Sequence, residues 1–132
     1  MGLFKRNRWR LERIKRGSSD VELPAEYATG DPDDDEILRQ IALRGPLDKP
    51  RHWVHFLPCQ NIAAARAVAA AAVRAGWTIE ISADRKDRDV CVTAEQSDVV
   101  TTGERVRTAR VFFEDLADHT PGAQYDGWHA SV

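Results

Sequence analysis

Three short stretches hold residue types that could do chemistry. In "RHWVHFLPC", residues 51–59, His52 and His55 flank Trp53, and Cys59 follows His55 by four positions. In a strand His55 and Cys59 point the same way, which leaves a Cys–His nucleophile pair geometrically open if a third group orients the imidazole. Ordinary packed strand residues are the preferred reading. In "DPDDDE", Asp31, Asp33 and Asp35 match the first three ligand positions of a calcium loop. Its sixth position is Glu36 where glycine is needed, and its twelfth is Ala42 where glutamate is needed, so calcium is excluded. In "AQYDGWHASV", Tyr125 and Trp128 bracket Asp126-Gly127. As a strand, this places Tyr125 and Gly127 on one side and Asp126 and Trp128 on the other. Either the tryptophan packs on the sheet or the leading helix, or it stands half-exposed beside a carboxylate as an anchor for a basic partner.

Other catalytic constellations are missing. Four histidines and two cysteines are scattered without zinc spacing. No G-x-x-x-x-G-K-[ST] or G-x-G-x-x-G loop exists to cradle phosphates. The carboxylates cluster in a stretch where they stay solvated, which does not suit tuned acid–base work. The expectation is that the protein is not an enzyme and needs no cofactor or metal.

At 132 residues, with 42% apolar and 30% charged, the chain is one globular domain's worth. Its net charge of −2 conceals a split. Residues 1–17 hold seven bases (Lys5, Arg6, Arg8, Arg10, Arg13, Lys15, Arg16) against one acid, Glu12. Residues 18–36 hold eight acids and no base. No stretch has the roughly 20 apolar residues of a membrane span, and the first residues lack the apolar run of a secretion signal. Arg6 also breaks the myristoylation pattern. Two cysteines are too few for a disulfide framework, so reduced thiols in a cytoplasm are expected.

The elements that must position these residues follow from periodicity. The basic arm, residues 1–19, is expected to be flexible, with an amphipathic helix through Phe4, Leu11 and Ile14 as the alternative. Residues 20–31 read as an acidic linker. A leading helix over about 32–44 takes its carboxylates at the N-terminus, where backbone N–H groups and the dipole favour negative charge, and stops at Gly45. "RHWVHFLPC" reads as a strand apolar on both faces. Asn61 then caps the Ala-rich helix that ends at Gly76, "WTIEIS" alternates as a second strand, and "VCVTAEQ" gives a third. A helix over roughly 101–118 carries Val106, Ala109, Phe113 and Leu116, and residues 124–132 close the chain as a strand. The order from residue 51 is β-α-β-β-α-β. It predicts an α+β, ferredoxin-like sandwich with an antiparallel sheet and both helices on one face, preceded by one extra helix. The first and third strands would be neighbours, which could bring Cys59 near Cys91. The third strand, "DRDVCVTAE", has no aromatic residue, which argues against base stacking of the RRM type.

"DKPRHWVHFLPC" before an Ala-rich helix, "GWTIEIS" after it and a closing "YDGW" together resemble the RraB family of protein inhibitors of ribonuclease E. The likeness spans about residues 32–130, and residues 32–132 would form one RraB-like domain with its core over 51–132. It implies a bacterial, cytoplasmic, non-catalytic regulator of RNA degradation that binds ribonuclease E or a related endoribonuclease and lowers its endonucleolytic activity. The partner-binding residues would be Asp33, Asp34, Asp35 and Glu36 with Tyr125, Asp126 and Trp128, meeting basic segments of the nuclease. In better-known members an acidic tail follows Y-D-G-W, whereas the acids here lie upstream. The alternative is an interaction module whose basic arm touches RNA or an anionic membrane surface, or folds against the chain's own acids.

Overall fold

The alternation in β1, Arg51–Cys59, is the organising feature. Trp53, His55, Leu57 and Cys59 are buried on one side of the strand, while His52, Val54, Phe56 and Pro58 occupy the other at greater exposure. A computed structural model describes residues 21–83 and 90–131. The amphipathic helix considered for the basic arm lies outside the described residues.

The elements in order are α1 (Pro32–Ala42), β1, α2 (Ile62–Arg74), β2 (Thr78–Ala83), β3 (Val90–Val99), α3 (Gly103–Asp118) and β4 (Trp128–Ala130). The fold is mixed α/β, with a four-stranded sheet ordered β2-β3-β1-β4 and every pairing antiparallel. The helices obey their local signals. Asp31 caps α1 by accepting from the amides of Asp33 and Asp34, each at 2.9 Å. Asn61 accepts from the Ala64 amide at 2.8 Å to start α2. Thr102 does the same for Arg105 at the start of α3.

The core is one cluster on the inner side of the sheet. Ile37, Leu38 and Ile41 of α1, Ala64, Ala65, Val68 and Ala72 of α2, and Val106, Ala109 and Phe113 of α3 meet Trp53, Leu57, Val92 and Ala94. Alanine along α2 lets that helix sit low across β1, β2 and β3.

Residues 21–31 form neither helix nor strand, yet they are tied to the body. The Glu26 carbonyl accepts from the Gly103 amide at 2.9 Å, the Ala28 carbonyl from the Arg107 guanidinium at 2.9 Å, and the Val21 carbonyl from Arg39 at 3.2 Å. Tyr27 and Thr29 are buried.

One local expectation is corrected. The closing stretch is not a continuous strand from Gln124, because β4 begins only at Trp128. The Phe56 carbonyl accepts from Asp126 at 2.8 Å while the Phe56 amide donates to Gly127 at 3.0 Å, so two residues oppose one. Gly127 takes φ +93°, the left-handed conformation that such a bulge requires. The extra residue resets the alternation. Tyr125 and Trp128, expected on opposite sides, both reach the inner face.

Candidate interaction site

The bulge delivers the terminal aromatics into two buried networks. Trp128 is fully buried, and its indole N–H donates to Asp34 Oδ1 at 2.9 Å. The other oxygen of Asp34, also fully buried, lies 2.8 Å from Arg110 Nε, and Arg110 reaches Asp31 Oδ2 at 3.4 Å. One carboxylate thereby joins α1, α3 and β4. Tyr125 places its hydroxyl 2.8 Å from His55 Nδ1, and both rings stack on Phe113. The packing alternative read from the sequence describes Trp128, which docks on the leading helix.

The predicted partner-binding residues therefore separate. Asp34, Tyr125, Asp126 and Trp128 are interior. Asp35 accepts from the Thr29 amide and hydroxyl, both at 2.7 Å. Glu36 accepts from Gln40 at 2.9 Å and pairs with Arg39 at 3.5 Å. Asp33 stands half-buried in the first turn of α1. Helix dipole and capping explain most of this acidic run. The basic-arm residues lie outside the described residues.

His55 and Cys59 share the inner face, but their surroundings do not activate a thiol. Burial, with Cys91 nearby, pushes the Cys59 thiol up to about 11. A nucleophilic cysteine needs the opposite shift. Cys91 faces the other side of the sheet, because it pairs with Pro58 while Cys59 pairs with Val90. Adjacent strands thus hold the two sulfurs on opposite faces, where no disulfide can form without backbone movement. Among the described residues no group of three or more His, Cys, Asp or Glu could hold a metal ion.

Periodicity gave no sign of a cleft between α3 and the turn from α2 to β2. It has a volume of about 1010 Å³ and is lined by Trp53, Trp77, Val99 and Phe112, with Gln96 and Arg105 among its polar residues. Its parts come from residues 53–112, and the sole sequence signal was Trp77 placed directly after the helix-stopping Gly76.

These features define a small α/β domain in which buried Asp34, His55, Tyr125 and Trp128 tie distant elements together. Among the described residues no helix is long and apolar enough to cross a membrane. Residues 31–130 match the family described as Regulator of ribonuclease activity B, RraB, and the chain belongs to that family. The match begins at the N-cap of α1 and ends at the last residue of β4. No curated protein matches the chain. The family is one of regulators of ribonuclease activity.

Proposed function

We propose that this protein binds ribonuclease E, in a bacterial cytoplasm, and lowers its endonucleolytic activity without catalysing a reaction of its own. The observation that carries this reading is the family match across residues 31–130, which takes in every described helix and strand. The protonated Cys59 thiol supports a non-catalytic role, because the one candidate nucleophile pair is held in its unreactive form. The sheet order and the β-α-β-β-α-β succession support reading the part from residue 51 as ferredoxin-like with α1 added in front. Residues 32–132 are the regulatory domain and residues 1–19 a separate basic arm.

Titrating the protein into a ribonuclease E cleavage reaction tests this. Inhibition that tracks formation of a complex at micromolar concentration supports the reading, and undiminished cleavage with no complex overturns it. A second reading rests on the seven bases of residues 1–17, which suit phosphate contacts with RNA or an anionic membrane. Binding of either that weakens steeply with salt, and vanishes when those bases are changed to glutamine, would favour it.

A further inference from the structure

The side chains that meet the helices project from one side of the sheet, and the other side is built from the alternate residues of the same strands. Register places these in cross-strand rows: Ser82, Cys91 and Pro58; then Glu80, Thr93 and Phe56; then Thr78, Glu95, Val54 and His129. A last row sets His52 beside Ser97, with ring nitrogen and hydroxyl 3.3 Å apart. Among the described residues these rows hold two carboxylates, Glu80 and Glu95, and neither lysine nor arginine. Glu80 opposes Thr93, two positions from Glu95, a diagonal relation that sets such residues about 7–8 Å apart. His52 Nε2 lies 2.6 Å from Glu95 Oε1. Along β1, between those carboxylates and the β4 edge, Val54 and Pro58 stand half-buried.

This surface has a chemical preference. Among the described residues of these rows, phosphates would meet carboxylates with no arginine or lysine beside them, which disfavours nucleic acid. A cationic peptide carrying an apolar side chain is complementary in both respects. Glu95 stands on β3, one of the two central strands, and Glu80 on the edge strand β2 that pairs with it, so both carboxylates are mounted on paired backbone, which lowers the ordering cost of binding.

We propose that this second face of the sheet receives a basic segment of the ribonuclease partner, with Glu80 and Glu95 taking two of its cationic side chains and Val54 and Pro58 an apolar one. The inference rests on the nuclease-binding reading above. Cys91 stands half-exposed in the rows and Cys59 is buried on the opposite side, so alkylation provides a built-in footprint.

The test mixes the full-length protein with purified ribonuclease E and follows iodoacetamide modification of each cysteine by mass spectrometry. In parallel, binding is measured for Glu80→Lys, Glu95→Lys and, as a control on α3, Glu104→Lys, each checked for an unchanged circular dichroism spectrum. The expected result is a several-fold slower modification of Cys91 in the complex and a tenfold or greater loss of affinity for the two sheet variants but not the control. If a complex forms while Cys91 reacts at its free rate and all three variants bind alike, the sheet face is overturned and nuclease binding stands. If no complex forms, both fall. If Cys91 in the free protein reacts faster once the seven bases of residues 1–17 are changed to glutamine, the occupant is the chain's own arm, and the inference is overturned in favour of that contact.

Discussion

At the residue scale, Asp34 carries the most consequence. It is fully buried, accepts the Trp128 N–H and faces the mostly buried Arg110 guanidinium. Removing one member of a buried charge pair leaves the other uncompensated, a loss of about 3–5 kcal/mol. Urea denaturation of Asp34→Ala is therefore expected to show a loss at the lower end of that range, since Arg110 retains some solvent contact. Tyr125→Phe deletes one hydrogen bond to His55 while keeping the stack on Phe113, so its expected loss is smaller, about 1–2 kcal/mol. Cys59 contributes a pH dependence of definite sign. Its folded pKa of about 11 stands above the ordinary 9.0, so the native state favours the protonated thiol. That stability is complete below pH 9 and is lost as pH rises towards 11. Chemical denaturation across this window is expected to decline less steeply in Cys59→Ala than in the parent.

At the element scale, the contact between the 21–31 segment and α3 depends on a position without a side chain. Gly103 opens α3, and a Cβ there would come within 2.4 Å of the Ala28 carbonyl oxygen. Backbone is the obstacle, so it cannot rotate aside as a flexible side chain would. Gly103→Ala must either push the segment off the helix or shift the helix start, and overpacking of this kind costs typically 1–3 kcal/mol. Thermal unfolding would show the loss, and amide exchange would place faster opening at Gly103, whose N–H donates to the Glu26 carbonyl. An unchanged melting temperature would refute this account. The bulge at Gly127 is the corresponding device at the other end of the chain, since it turns Tyr125 and Trp128 to the same side.

At the scale of the whole molecule, charge and shape separate by surface. The helices and the inner face hold the core, the acids near α1 are largely engaged in capping and pairing, and the second sheet face keeps two carboxylates on a firm frame. Contacts between exposed charges are screened over about 8–10 Å at ordinary ionic strength. In the proposed complex with ribonuclease E, affinity is accordingly expected to fall several-fold between low and roughly physiological salt, mainly through a slower association rate. Stopped-flow association at several salt concentrations checks this, and a salt-independent rate would point to an apolar contact such as the cleft by Trp77.

The sequence by itself determined what depends on near neighbours along the chain. The cap at Asn61, the carboxylates favoured at the start of the leading helix, the stops near Gly45 and Gly76, and the shared side of His55 and Cys59 were legible, because dipoles, caps and strand alternation act within a few residues. "YDGW" was legible as a mark of kinship, though its geometry was not. Whether Trp128 would be a surface anchor or a buried donor depended on a bulge opposite Phe56 and on a carboxylate 94 positions away on α1. The separation of Cys59 from Cys91 was settled by a one-residue difference in register. The cleft and the carboxylate pair on the outer sheet face also arose only when distant segments were brought together. Tertiary structure decided these because pairing register and burial are properties of two strands at once, and no single stretch of sequence contains both.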